Sequence, residues 1–258
     1  MHGYNRVTPW RYGWAIVHAN DVYVGRSVEV YGEFSREETE LLCGLVDGNS
    51  VVVEVGANIG AITVPLARKA GLVFAIEPQL QTYYALCGNL AMNSVGHKAR
   101  ALNVAAGEER GCIPVPMLDL CRPVNVGGLS LGNHSTPETA CETVAILPID
   151  DLSLQQCRLL KVDVEGMELE VLKGAAQTIE RCQPILYVEN DREEKSAALI
   201  EHIKGLGYQV YDHQPWLSSA ENHNGVAVDL FPGIVSINLL CFPPGMPPGD
   251  VVQRMKRV

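Results

Sequence analysis

A surplus of positive charge is missing from this sequence: 20 Lys and Arg face 30 Asp and Glu, for a formal net charge of −10. Neutralising phosphates takes an excess of cations, so non-specific nucleic-acid binding is disfavoured. Also missing are a CxxC pair and any close Cys/His cluster. The eight cysteines stand at 43, 87, 112, 121, 141, 157, 182 and 241, several in apolar runs such as Leu86-Cys87 and Leu240-Cys241-Phe242. They read as buried thiols of a reducing compartment, not as a disulfide frame or a zinc site. No apolar run approaches bilayer-spanning length, and the opening MHGYNRVTPW has no apolar signal core. No internal repeat is visible. These absences lead to the expectation of a cytoplasmic protein with neither a membrane nor a nucleic acid as partner. The closing Arg254, Lys256 and Arg257 form a small basic tail, read as a solvated, frayed terminus.

What is present is an alternation. At 258 residues the chain is long for one domain but within the range of open α/β folds. Residues 12–31 predict short strands or a hairpin, with Trp14 and Ile16 on one side and Val22 to Val24 following a turn-like Asn20-Asp21. Ser35 and Glu38 form an S-x-x-E capping box ahead of a helix carrying Leu41, Leu42 and Leu45. From residue 51 short apolar strands alternate with amphipathic helices. Strands are expected over 51–55, 72–76, 99–104, 159–163, 184–189, 209–211 and 234–240. Helices are expected over 59–70, 169–181 and 193–206, with another opening at Pro78 and placing Leu80, Tyr83, Tyr84, Cys87 and Leu90 on one stripe. This rhythm predicts an α/β fold: a mostly parallel, seven-stranded sheet with helices on both faces, over 49–258, behind a short β/helix extension over 1–48. Such sheets bind ligands beyond the carboxyl ends of their strands. Two irregular stretches, 122–140 with Gly127-Gly128 and 213–233 with Trp216, His223 and Asn224, are long enough to suggest function.

VVVEVGANIG, residues 51–60, is a strand, an acid and a Gly56-x-x-x-Gly60 turn into a helix. A dinucleotide fingerprint would carry a middle glycine where Asn58 stands, and Glu54 would repel a phosphate there. A cationic ligand suits Glu54 better, and S-adenosylmethionine has both an ammonium and a sulfonium. Glu77 ends the second strand, where an acid can accept both ribose hydroxyls. Together these features favour a Rossmann-like class I methyltransferase core over an NAD-dependent oxidoreductase.

The segments EVGANIGAITVPLA, FAIEP, NLAMN and LKVDVEGMELEVLKGA resemble the FkbM family of S-adenosylmethionine-dependent methyltransferases, over roughly residues 30–243 and including an NLLCFP-like ending. The resemblance implies methyl transfer, most often to a hydroxyl of a sugar, glycan or natural product. It also implies cofactor contacts from Glu54, Gly56, Ala57, Asn58, Gly60 and Glu77, with Pro78 beside them. Asn89 and Asn93 match asparagines of the family's second helix, and Asn103 and Ala105, in NVAAG, would lie beside the adenine.

The acids after the strand over 159–163 leave three readings open. Asp163 contacts the cofactor's methionine end while Glu165 caps the next helix; or Asp163, Glu165 or Glu189, with Lys161, serves as base; or Asp163, Glu189 and Asn190 hold a divalent metal. A metal is compatible with this oxygen set but not expected, and Asp163 ranks above Glu165 in expected importance. His213 and His223 could reach an acceptor, although loop histidines are more often merely exposed. Trp10, Tyr12 and Trp14 either pack on their own domain or meet a second copy in a homo-oligomer. An O-methyltransferase is the first reading, and a cofactor-binding module without catalysis is its rival.

Overall fold

The computed structural model describes residues 3–129 and 140–258. An antiparallel hairpin opens the chain, β1 (Asn5–Trp10) with β2 (Gly13–His18), followed by helices α1 (Val24–Tyr31) and α2 (Arg36–Gly44). The hairpin thus starts earlier than its alternation suggests, and the expected strand near Val24 is helix. Asp21 decides this locally: its Oδ2 accepts from Gly25 N at 2.7 Å, capping the first turn of α1.

The alternating region then supplies β3 (Val51–Val55), α3 (Thr63–Lys69), β4 (Leu72–Ile76), α4 (Leu80–Met92) and β5 (Ala99–Leu102). A small side sheet follows from β6 (Ala105–Ala106), β7 (Gly111–Pro116) and β8 (Cys141–Leu147). This side sheet was not expected; β7 is an edge strand, which is why Pro114 and Pro116 are tolerated in it. The chain returns through β9 (Leu159–Val162), α5 (Glu168–Lys173), α6 (Ala176–Cys182), β10 (Ile185–Glu189) and α7 (Glu193–Gly205). It closes with β11 (Gln209–His213), β12 (Asn238–Phe242) and β13 (Lys256–Arg257).

The central sheet runs β13-β11-β12-β10-β9-β3-β4-β5. Strands β5, β4, β3, β9 and β10 are parallel neighbours, and β12 is antiparallel to both β10 and β11. Seven of these strands match the expectation. The eighth, β13, pairs the basic tail with Tyr211 and Asp212, so Lys256 and Arg257 are an edge strand and not a frayed end.

Two apolar layers sandwich the sheet. Val52, Leu159 and Tyr187 face one with the hairpin and α1 to α4, whereas Val53, Leu160 and Val188 face the other with α5 to α7. Trp10, Val28 and Leu42 pack in the same layer as Val52, so one core runs through the extension and the sheet. Trp10 is buried against Tyr12 edge-to-face, while Trp14 is 54% exposed. The buried face of α4 is Thr82, Ala85, Leu86, Asn89 and Leu90, not the expected stripe, and Tyr84 is 57% exposed. The single helix expected over 169–181 breaks at Gly174, where a Cβ would lie 2.0 Å from the Gly107 carbonyl oxygen. Of the cysteines, Cys157 and Cys241 are buried but Cys112, Cys121 and Cys141 are exposed, against the expectation of buried thiols. Among the described residues no helix is long and apolar enough to cross a membrane.

Candidate active site

Beyond Val55 the chain turns through Gly56, Ala57 and Asn58. Gly56 N and Ala57 N both donate to the Ile76 carbonyl at 3.0 Å, fastening the turn to the end of β4. Gly56 has φ +81°, and a Cβ there would fall 1.8 Å from the Asp163 carbonyl oxygen. Glycine at 56 is therefore demanded by the approach of β9 as well as by any ligand. Asn58, at φ +50°, donates its N–H to Glu77 Oε2 at 2.9 Å, and Gln79 N donates to Glu77 Oε1 at 2.9 Å. Burial pushes the Glu77 carboxyl up to about 7, against the pull of those two bonds. The carboxylate that ends β4 thus shapes the turn that follows β3.

Below this turn lies a buried charged cluster. Glu54 and Lys161 are directly opposed on β3 and β9, and both are buried. Glu54 Oε2 makes no hydrogen bond of good geometry among the described residues; the Thr63 hydroxyl, itself without another partner, is the group near enough to help hold its charge. Burial pushes Glu54 up to about 7, with Lys161 pulling the other way. Lys161 Nζ pairs with Asp163 Oδ2 at 2.8 Å. Burial works against the Lys161 charge, but Asp163, Glu38 and Glu54 outweigh it and hold its pKa above the ordinary value. Lys161 is thus a buried positive charge among acids. Lys161 anchors Asp163.

At the strand ends, the Asp163 side chain is 38% exposed, and Glu165, at φ +56°, pairs with Arg192. Glu165 N donates to Glu189 Oε2 at 3.3 Å. The cap expected of Glu165 is not made; Glu168 Oε1 accepts from Gly166 N at 2.8 Å instead. Burial, then Asp163 and Asp191, push Glu165 up to about 7. Burial, then Asp163 and Glu165, push Glu189 well above the carboxylate range. Glu165, Glu189 and Asp191 can each bring one oxygen within 4.8 Å of the others. Asp163 stands outside that set, and Arg192, paired with Glu165, already supplies a cation to it.

These elements enclose one cleft of about 320 Å³ at the carboxyl ends of the strands. Of the residues singled out from sequence, Glu54, Gly56, Ala57, Asn58, Glu77 and Pro78 line it. Lys161, Asp163, Glu165 and Glu189 line it too, with Lys161 directly across from Glu54 and Asp163 against Gly56. Others lie elsewhere. Gly60 turns the chain beneath α4, where a Cβ would meet Leu86 at 2.8 Å. The Asn89 amide is shared between the hairpin and the turn after β3: Oδ1 accepts from Ile16 N at 2.6 Å, and Nδ2 donates to Ile16 O and Ile59 O at 3.0 and 2.7 Å. Asn93 grips Trp14 N and O in the same way, at 3.2 and 2.8 Å. Asn103 Nδ2 donates to Glu77 O and Pro78 O at 2.9 and 3.0 Å, behind the cleft wall, and Ala105 is buried in the side sheet. His213 is buried against the Tyr187 hydroxyl at 2.9 Å, and His223 is tied through its N–H to Glu33, so neither lines the cleft.

Sequence reasoning missed much of the apolar wall. Tyr23, Val24 and Phe34 reach the cleft from the extension, and Leu217, Ile234 and Ile237 reach it from the stretch before β12. Asn125, Gly127, Gly128 and Leu129 close another side; the remainder of the expected 122–140 loop, residues 130–139, lies outside the described residues. Asp21 holds this side in place, its Oδ1 accepting from Val126 N at 3.3 Å. No local pattern marks Tyr23 or Phe34, because only the tertiary fold carries them to the strand ends.

A mostly parallel sheet with an antiparallel penultimate strand, a glycine turn after its first strand and an acid ending the second defines a class I S-adenosylmethionine-dependent methyltransferase. The Methyltransferase FkbM domain family matches residues 54–210, more than half of the chain, and the chain belongs to that family. S-adenosylmethionine is therefore its cofactor, and the cleft fits it: the Glu54 oxygen without a well-formed hydrogen bond and the acid surplus around Lys161 suit a cation. The chain is 30% identical over 156 residues to the methyltransferase sdnD of Sordaria araneosa, covering 49% of this chain and 60% of that protein. It is 38% identical over 70 residues to a Methanocaldococcus jannaschii tRNA(Phe) (4-demethylwyosine(37)-C(7)) aminocarboxypropyltransferase, covering 26% and 28%. The chain thus spans less than two thirds of the curated relatives it matches. Among solved structures, an FkbM methyltransferase from Methylobacillus flagellatus KT superposes with TM-score 0.53 at 18% identity, covering 76% of this chain and 44% of that one. M. jannaschii TYW2 in complex with AdoMet superposes with TM-score 0.50 at 14% identity, covering 94% and 89%. These two likenesses concern the fold.

Proposed function

We propose that the chain is an O-methyltransferase whose acceptor is a hydroxyl of a sugar, glycan or small natural product. The observation that carries this reading is a convergence in one cleft. The glycine turn, Glu77, the β9 and β10 carboxylates and an apolar wall all line it. The bound cofactor supplies a methyl group on a sulfonium, open to in-line displacement. What remains for the protein is positioning, charge and a proton acceptor. Glu77, already oriented by two backbone N–H groups, offers its remaining lone pairs to the ribose hydroxyls. Glu54 and Asp163 face the cofactor's cationic end.

Glu165 takes the acceptor's proton: it lines the cleft beside Asp163, and Arg192 fixes its orientation. Tyr23, Phe34 and Leu217 give the acceptor an apolar face. The same carboxylates repel phosphate, which weighs against a nucleic-acid acceptor even though one relative is named for tRNA(Phe). The test is transfer of labelled methyl from S-adenosylmethionine to a panel of sugars, glycans and hydroxylated natural products, with tRNA and rRNA alongside and EDTA in a parallel series. Label on a hydroxyl, insensitive to EDTA, is the expected result. Label on RNA alone would contradict the acceptor class, and cofactor binding without turnover on any acceptor would favour the non-catalytic module.

A further inference from the structure

The segment over 214–237, between β11 and β12, supplies Leu217, Ile234, Val235, Ser236 and Ile237 to the cleft. Like α1, it lies outside the residues that carry the family match. Its regular pairing is an isolated bridge between Trp216 and Val235, beside backbone bonds such as Leu217 N to Ile234 O at 3.2 Å. A stretch with so little ladder of its own takes its shape from what it rests on.

It rests on α1. Tyr31, the last residue of that helix, is buried, and its hydroxyl reaches three points of the segment. It donates to the Val228 carbonyl at 2.8 Å, accepts from Leu230 N at 2.7 Å, and stands 3.2 Å from Ser218 Oγ. Asn224 N adds a bond to the Tyr31 carbonyl at 2.9 Å. The Tyr31 ring meets Phe231 edge-on at 6.2 Å, and Phe231 stacks on Tyr23 at 5.6 Å. Tyr23 lines the cleft, and Ile234 N donates to the Phe231 carbonyl at 3.0 Å. One side chain thus joins Tyr23 on the extension to Leu217 and Ile234 on the late segment. A phenylalanine would fill the same space; only the hydroxyl ties Ser218, Val228 and Leu230 together.

We infer, on the reading that the apolar wall meets the acceptor, that Tyr31 is a positioning residue. Its hydroxyl latches the segment over 214–237 to α1 and so holds Leu217 and Ile234 where the acceptor's apolar face is received. The glycine turn and Glu77 are fastened separately, by bonds among Ile76, Asn58 and Gln79 that do not involve α1. Releasing the latch lowers the fraction of molecules with a formed wall. That weakens the acceptor in proportion and spares both the cofactor and the chemical step.

The experiment compares the wild type with Tyr31→Phe, which keeps the ring and removes the hydroxyl. Three quantities are measured: the calorimetric Kd of S-adenosylmethionine, amide exchange over 214–237, and steady-state methyl transfer. The acceptor for the last is whichever sugar, glycan or hydroxylated natural product the wild type labels best. In Tyr31→Phe the acceptor KM should rise about five- to tenfold and exchange should quicken, while kcat and the cofactor Kd stay within about twofold. If Tyr31→Phe does not fold, Ser218→Ala, which removes one of the three contacts, should raise the acceptor KM about twofold with the same split. An unchanged acceptor KM overturns the inference, and so does a cofactor Kd weakened as much as KM, the mark of a general structural defect. A wild type that labels no hydroxyl acceptor overturns it together with the acceptor class; a wild type that does, with KM unmoved in the variant, overturns the latch alone.

Discussion

Gly56 and Glu54 stand two residues apart and answer to different demands. A side chain at 56 meets the backbone of Asp163, which has nowhere to retreat within a parallel sheet. Gly56→Val should therefore cost roughly 2–4 kcal/mol of stability through overpacking and an unsuitable φ. Denaturant unfolding checks this, and the variant's loss of cofactor binding should accompany a loss of fold. Glu54 behaves in the opposite way. With an oxygen buried and without a well-formed hydrogen bond, it is a liability to the empty protein. Its ordinary pKa of 4.5 is raised to about 7, so the fold favours its protonated form. Below 4.5 both states hold the proton and nothing is lost; stability drains away as pH rises through 7. Glu54→Gln should thus match the wild type at low pH and gain on it between about 4.5 and 7. His18 and His213, lowered to about 4 by burial, act in the reverse sense in both proteins, so the difference in Tm isolates Glu54. Glu165→Gln should leave cofactor affinity unchanged and lower kcat by about 10²–10⁴, the usual contribution of a general base. A kcat within twofold of the wild type would remove Glu165 from that role.

Elements show where the sequence could be read and where it could not. Strands β3, β4, β9 and β10 are apolar, β-branched runs buried on both faces, and such runs announce themselves. The stripe of α4 was misjudged because Tyr83 and Tyr84 look like core residues, whereas the helix buries Asn89 to hold the hairpin. Asn89 and Asn93, one turn apart, each bond the N–H and C=O of a residue on β2, serving that strand edge as a neighbouring strand would. Family likeness pointed to these asparagines, but only the fold reveals what they hold. Asn89→Ala should cost about 2–3 kcal/mol by orphaning buried backbone groups. Amide exchange over residues 5–18 should quicken with it. Unchanged protection in the hairpin would mean that its apolar contacts alone secure it. The capping box failed for a related reason: Ser35 and Glu38 bond each other's side chains instead of the backbone.

At the scale of the molecule, the glycine turn and the acids at both strand ends were legible because the chemistry dictates their spacing. The extension's part in the cleft was not. Tyr23 and Phe34 reach the site through tertiary packing, and no periodicity encodes that route. The outcome is one cleft with a net acidic floor in an acidic protein, suited to a cationic cofactor. The central claim is that this floor holds S-adenosylmethionine through Glu54. Calorimetric titration of the cofactor into the wild type and Glu54→Gln tests it directly. The account predicts saturable one-to-one binding that weakens at least about tenfold in the variant, the effect of losing a desolvated charge partner, while the variant's Tm is equal or higher. Equal affinity in the two proteins, or no binding by the wild type, would contradict it.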